Sequence, residues 1–396
     1  MAVAGAADSA TGAAGSAAEA AETATGTRRP RRIVIAPDSF KGSISAADAS
    51  RALAEGWASV DPHAEFVLRP MADGGEGTVA AFEAAVDGAE RRLVIVDGPA
   101  GTPVKTSWLW LPPTADAPSG TAVVDLASTS GIELLDELRP WDADTTGFGQ
   151  AIAAALDAGV SRLVVGIGSS ASTDGGIGLL SALGARFLDR DGLPVAPGAA
   201  GLCRVVAVDR VGLWPAPDVR VLTDVTNPLV GERGAAAVFG PQKGLVDPAD
   251  IRTVDAALAR LAQLLHLDSA HPGTGAAGGA GAALVAWGAM LTPGSGAVGE
   301  LIDLAGAIAD ADLVITGEGS YDGQSGEGKV PSFVAGLAAD AGVPALLAAG
   351  RITSDADTTV FAASASLTEL AGSSDAAQAD AAEWLREAGA ALARTL

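Results

Sequence analysis

Residues 33–42 read Ile33-Val34-Ile35-Ala36-Pro37-Asp38-Ser39-Phe40-Lys41-Gly42, and Ser45-Ala46-Ala47-Asp48 follow closely. The first four residues form a short continuous apolar run, the pattern of a strand buried on both faces. Pro37-Asp38 ends it. Ser45 with an acid three residues on is a helix-start signal, which predicts a helix through about residue 58. The loop between strand and helix holds a carboxylate, a hydroxyl and an ammonium within four residues, beside a helix N-terminus. That grouping suits an anion held near a metal ion or a general base; the bland alternative is a polar loop with a solvated lysine.

Outward from this unit, strand-like and helix-like segments alternate. Strands are expected at 66–68, 93–96, 106–111, 122–126, 162–165, 205–208, 219–222, 313–316 and 345–348. Helices are expected at 78–86, 151–158, 178–183, 251–265, 280–290, 298–308, 332–339 and 376–392. Alternation of this kind means an α/β protein with mostly parallel sheet. The β-then-α units are clearest at the two ends of the chain. The expected architecture is therefore two domains: a Rossmann-like parallel-sheet domain made of residues 31–75 and 290–396, and a second α/β domain, 76–289, inserted between. Residues 1–30, rich in Ala, Gly, Thr and Ser, are expected to be a disordered extension.

Composition narrows the classes. The chain has 396 residues, more than one core usually holds. No apolar run reaches the ~18 residues of a membrane span, and residues 1–30 lack the apolar segment of a secretory signal. Cys203 is the only cysteine, which excludes an intrachain disulfide and makes a reducing cytoplasm the expected compartment. A net charge of −23 argues against nucleic acid as a partner. It also means that a site for an anion must be made locally positive by a few placed cations, helix N-termini or a metal ion. Lysine is scarce, and three of the lysines, Lys41, Lys243 and Lys329, stand beside a glycine.

Four further Gly-rich polar stretches could carry chemistry. Ala72-Asp73-Gly74-Gly75-Glu76-Gly77-Thr78 flanks glycines with two carboxylates suited to Mg²⁺. Gly166-Ile167-Gly168-Ser169-Ser170-Ala171-Ser172-Thr173-Asp174-Gly175-Gly176 directly follows a strand and offers many small donors, a phosphate cradle. It also contains Gly166-x-Gly168-x-x-Ala171 with Asp189 further on, a weak nicotinamide-dinucleotide fingerprint; 189–192 reads equally well as a hairpin turn. Asp224-Val225-Thr226-Asn227-Pro228, with Gly240-Pro241-Gln242-Lys243-Gly244, holds the sole Asn and a rare Lys. Gly317-Glu318-Gly319-Ser320-Tyr321-Asp322-Gly323 follows another strand. Gly323 to Lys329 nearly spells a P-loop, but Val330 stands where the Mg²⁺-binding hydroxyl is needed. His63, His266 and His271 form no cluster, which leaves a Ser-His-Asp hydrolase without support.

Through these stretches, in order, the sequence resembles the glycerate kinase type 1 family, over roughly residues 31–392. The resemblance implies a two-domain glycerate kinase fold unlike that of P-loop kinases. It further implies Mg²⁺ and ATP-dependent phosphorylation of D-glycerate, usually to the 2-phosphate. Carried onto this chain, it gives Asp38, Lys41 and Asp174 as catalytic candidates, with the base either Asp38 or Asp174. Ser39, Asp73, Asn227 and Lys243 become substrate contacts. Gly166, Gly168, Ser169, Ser170, Gly175, Gly317 and Gly319 become nucleotide or phosphate contacts, and Glu76 and Glu318 metal carboxylates. Three positions depart from the family pattern: Ser169 replaces a Gly, Thr173 an Asn, and Ser320 an Arg. An NAD(P)-dependent oxidoreductase of a small hydroxy-acid and a non-catalytic glycerate- or nucleotide-binding relative are the alternatives.

Overall fold

The computed structural model describes residues 29–72, 74, 77–323 and 329–395. The chain begins with β1 (Arg32–Pro37) and β2 (Glu65–Leu68). It continues through β3 (Glu90–Asp97), β4 (Pro103–Leu111), β5 (Thr121–Asp125) and β6 (Arg162–Gly166). A two-stranded ribbon follows, β7 (Arg186–Leu188) with β8 (Ala207–Asp209), then β9 (Asp218–Leu222) and β10 (Met290–Thr292). The chain ends with β11 (Leu313–Tyr321), β12 (Ala345–Ile352) and β13 (Ala363–Ser366).

Two sheets organise these strands. The first has the order β13-β12-β11-β1-β2, parallel throughout, so both ends of the chain meet in it. The second has the order β10-β9-β6-β5-β4-β3. It is parallel from β10 to β5 and antiparallel across β5-β4-β3. The boundary expected before residue 290 is therefore misplaced: β10 pairs with β9 and belongs to the six-stranded sheet. The helix expected over 280–290 stops at Trp287, where Gly288 turns left-handed (φ 117) and releases the chain into that strand. The helix expected over 298–308 is two helices, Gly294–Leu301 and Leu304–Ala309, broken at Asp303 (φ 49). The final helix is likewise divided, into Ser374–Ala379 and Ala381–Ala393.

Alternation along β1 explains the layers, since successive side chains point to opposite faces. Ile33 and Ile35 join Leu53, Trp57, Leu385 and Leu392 on one face. Val34 and Ala36 face the other way, into a cluster with Leu109, Val123, Val164 and Leu222 of the second sheet. The two sheets thus share an apolar layer. A separate cluster, including Phe148, Ile152, Leu163, Leu258 and Leu284, covers the far face of the six-stranded sheet.

The helix Ala46–Ala58 starts as expected, with the Ser45 hydroxyl accepting the Asp48 amide at 3.1 Å. It packs on Ala381–Ala393 almost backbone to backbone. A Cβ on Gly56 would lie 1.9 Å from the Arg386 carbonyl oxygen, and one on Gly389 would lie 2.4 Å from that of Leu53. Gly56→Ala is expected to cost about 1–3 kcal/mol through overpacking and to lower the thermal midpoint by several degrees. An unchanged midpoint in a melting curve would show that the two helices have slack.

Candidate active site

From β1 the first sheet grows one way to β2 and the other way through β11 to β13. Open parallel sheets bind ligands beyond the carboxyl ends of their strands at such a reversal. The segments leaving β1 and β11 at that point are 38–45 and 317–320. They are joined where the Asp38 amide donates to the Gly317 carbonyl at 2.8 Å. Phe40 anchors the first loop: its side chain is buried, and it exchanges backbone bonds with Ile44 at 3.0 and 3.1 Å. With Phe40 turned inward, Asp38, Ser39 and Lys41 border open space. The Ser39 amide donates to Asp38 Oδ1 at 2.7 Å, which orients that carboxylate.

Two cavities meet on this loop. The smaller, about 560 Å³, is bordered by Asp38, Lys41, Glu318, Gly319, Ser320, Asp322, Lys329 and Arg351, among others. The larger, about 1210 Å³, has Gly168, Ser169, Ser170, Thr223 and Lys243 on its polar side and Ile132, Ile167, Leu222 and Phe239 on its apolar side. Ser39, Phe40, Lys41, Ser43 and Asp224 border both. The crevice is thus fed by strand ends of both sheets, β1, β11 and β12 from one, β6 and β9 from the other. Glu318 is 8% exposed on its wall. Its Oε2 lies 3.9 Å from Lys329 Nζ, which is also 3.7 Å from Asp322 Oδ1.

Several expected ligands of the crevice instead build its walls. Asp174 is fully buried and borders neither cavity. Its Oδ2 accepts from the Thr145 amide (3.1 Å), Thr145 hydroxyl (2.7 Å) and Gly178 amide (3.3 Å). Its Oδ1 accepts from the Ser172 hydroxyl and Gly176 amide, both at 3.1 Å. A carboxylate occupied in this way ties the third stretch onto neighbouring chain. Lys243 is 3% exposed on the wall of the larger cavity. Its ammonium donates to Ser170 Oγ (2.5 Å) and the Ser172 carbonyl (2.6 Å), so it braces the same stretch. Burial pushes this ammonium down to about 7, against the pull of Asp174.

The glycines divide similarly. Gly168 borders the larger cavity, but its amide is taken by the Gly74 carbonyl at 3.1 Å. A Cβ on Gly166 would lie 2.7 Å from that same oxygen. Gly166 thus serves the close approach of the second and third stretches. Gly175 lies among Leu258, Leu261 and Leu202, and a Cβ on Gly317 would meet the Ala348 carbonyl at 2.0 Å. These three glycines are packing positions, whereas Ser169, Ser170 and Gly319 do border the crevice. Ser169 holds a left-handed backbone (φ 59), a conformation costly for a residue with a Cβ and free for the glycine it replaces. Asn227 borders neither cavity, and its Nδ2 donates to the Arg233 carbonyl at 2.8 Å. The dinucleotide fingerprint also fails. The Asp189 carboxylate accepts the amides of Asp191 and Leu193 and pairs with Arg204 at 2.8 Å, closing a turn. Asp73 and Glu76 lie outside the described residues.

Asp224 and Arg351 are crevice residues that residue-by-residue reading did not single out. Asp224 had a signal, since it ends a strand run and opens a polar stretch; Arg351 had none, because its place depends on which strands pair.

A model of the glycerate kinase family matches residues 33–396. The chain belongs to the glycerate kinase family. It is 42% identical over 335 residues to glycerate 2-kinase of Escherichia coli (strain K12), covering 82% of this chain and 86% of that one. It is 41% identical over 340 residues to glycerate kinase of Bacillus subtilis (strain 168), covering 82% and 86%. A crystal structure assigned as glycerate kinase 2 of Salmonella typhimurium LT2 superposes with a TM-score of 0.79 at 39% identity, covering 92% of this chain and 98% of that one.

If Asp174 is a clamp, Asp174→Ala should lower the thermal midpoint by several degrees, because buried donors lose their acceptor at about 1–3 kcal/mol each at most. A base acting on substrate would instead lose activity with an unchanged midpoint. For Lys243 the folded group sits below its unfolded value of 10.5. Below about 7 both states are charged and the burial cost is fully present. As pH rises from there toward 10.5 the folded state sheds the proton first and gains stability. Wild type should therefore improve on Lys243→Met by roughly 1 kcal/mol per pH unit across that window. Parallel melting curves at pH 7 and 9.5 with a constant gap would contradict this.

Proposed function

We propose that this protein transfers the γ-phosphoryl group of ATP to a hydroxyl of D-glycerate, giving 2-phosphoglycerate. The observation that carries the proposal is the single crevice over the loop 38–45, with a polar, cation-bearing pocket on one side and a larger, partly apolar one on the other. The apolar wall of Ile132, Ile167, Leu222 and Phe239 suits a nucleobase and ribose. The smaller pocket, with Lys41, suits a small carboxylic acid. ATP would lie along the larger cavity with its phosphates directed over Ser39 and Lys41.

Phosphoryl transfer asks little covalent chemistry of the protein; positioning and charge neutralisation dominate. Lys41 holds the glycerate carboxylate. Asp38 accepts the proton of the attacking hydroxyl as its oxygen bonds to phosphorus and the bond to ADP breaks. Asp38 borders the crevice and Asp174 does not, which supports Asp38 as the base. Among the described residues no cluster of three or more His, Cys, Asp or Glu forms a metal site. Kinase Mg²⁺ needs fewer protein ligands, one or two carboxylates with phosphate oxygens and water completing the shell. Glu318, with Asp224 across the crevice, fits that requirement. The ion would supply neutralisation of phosphate charge. A cytoplasmic place of action belongs to the same proposal and agrees with the lone Cys203 being a free thiol.

An ADP-release assay over a panel of small hydroxy-acids, with phosphorus NMR of the product, tests the proposal. Glycerate should be preferred, with phosphate on the 2-oxygen. A melting shift with glycerate or ATP but no ADP would mark a binding protein instead. Asp38→Asn and Lys41→Ala should each lose at least about 100-fold in kcat/KM, or roughly 2.7 kcal/mol. Near wild-type kinetics in either would remove that residue from the mechanism.

A further inference from the structure

The smaller cavity is bordered by Asp38, Asp224, Glu318 and Asp322, an acidic surround for a ligand that is itself anionic. Of the cations facing them, Lys329 stands near Glu318 and Asp322 at 3.9 and 3.7 Å. Arg351, at the carboxyl end of β12, borders the same cavity. Among the described residues it makes no ion pair, and its side chain is exposed. Its Nη2 lies 3.4 Å from the Ser320 hydroxyl, and Ser320 and Arg351 are register partners across β11 and β12. The strands are pressed together just before this pair: a Cβ on Gly350 would come within 2.4 Å of the Gly319 carbonyl. The guanidinium is therefore held level with position 320 by strand pairing.

We infer that Arg351 is a catalytic residue whose guanidinium grips a multi-oxygen anion in the smaller cavity. The inference rests on the kinase reading above. A planar fork of donors matches two oxygens of a carboxylate or phosphate, which a point ammonium cannot do. Both anions of the proposed reaction, the glycerate carboxylate and the transferring phosphoryl group, present that chemistry. The short Ser320 side chain leaves room beside it for the Arg351 guanidinium from the neighbouring strand. The guanidinium is thus supplied across the β-ladder and not from the loop after Gly319.

The test is steady-state kinetics with ATP and glycerate, with melting curves, on wild type, Arg351→Ser, Arg351→Lys and the exchange variant Ser320→Arg/Arg351→Ser. Arg351→Ser should lose at least about 100-fold in kcat/KM with an unchanged melting midpoint. Arg351→Lys should recover little of it. The exchange variant should regain at least about tenfold, since it returns a guanidinium from the paired position. A rise in KM for glycerate at constant kcat assigns the carboxylate; a fall in kcat assigns the phosphoryl group. Arg351→Ser within threefold of an active wild type overturns the inference alone. A loss that follows a lowered midpoint and is not restored by exchange also overturns it, as a folding effect. A wild type that releases no ADP with glycerate strikes the kinase reading and takes this inference with it.

Discussion

Ile33, Val34, Ile35, Ala36 and Pro37 pair in parallel with Leu313, Val314, Ile315, Thr316 and Gly317, residues 280 positions away. No local signal can hold those strands together; what does is burial on both faces. Ile33 and Ile35 seal one side against the terminal helices, and Val34 and Ala36 seal the other against the second sheet. The Thr316 hydroxyl adds a bond to the Ala36 carbonyl at 2.9 Å inside that layer. Apart from Asp224, which follows β9 of the second sheet, the main candidates for chemistry in the smaller cavity hang from this ladder. The Asp38 loop leaves one strand, Glu318 and Ser320 lie on the other, and Arg351 stands on the strand beyond. A shift of one residue would turn all of these side chains to the opposite face.

The electrostatic problem posed by a strongly acidic chain is resolved locally. Lys41 and Arg351 border the smaller cavity, Lys243 is braced within the wall of the larger one, and Lys329 lies near Glu318 and Asp322. Lys41, Lys243 and Lys329 thus border the crevice, while Lys105 lies away from it on β4. Lys243 and Asp174, buried near each other, brace the third stretch from two sides. Small residues there can then be spent on lining the larger cavity.

Much of the fold was legible in the chain because its strands are short apolar runs bounded by turn residues, and the helix caps are explicit at Ser45. Element type survived where periodicity was strong. Boundaries failed where one residue decides them: Gly288 and Asp303 adopt positive φ and break helices that their neighbours would continue. The position of β10 depended on its partner, and a three-residue strand carries no pattern of its own. In the site, the loop from Asp38 to Lys41 was readable because its residues are adjacent. Asp174 and Lys243 share the residue types of a catalytic site, and only burial tells a clamp from a reagent. Arg351 could not be found without the register of β11 and β12.

The contact between the first helix and the last has a meaning for how the protein is made. During synthesis β1, the helix Ala46–Ala58 and β2 emerge early, but β1 still lacks β11, its partner on the other side. The six-stranded sheet can assemble as soon as its own strands are out, since they emerge as one block. The first sheet must wait for β11, and the groove around Gly56 stays open until Ala381–Ala393 has emerged. A chain lacking Ala381–Ala393 would keep the apolar layer between the sheets but leave the Ile33 and Ile35 face of β1 without Leu385 and Leu392.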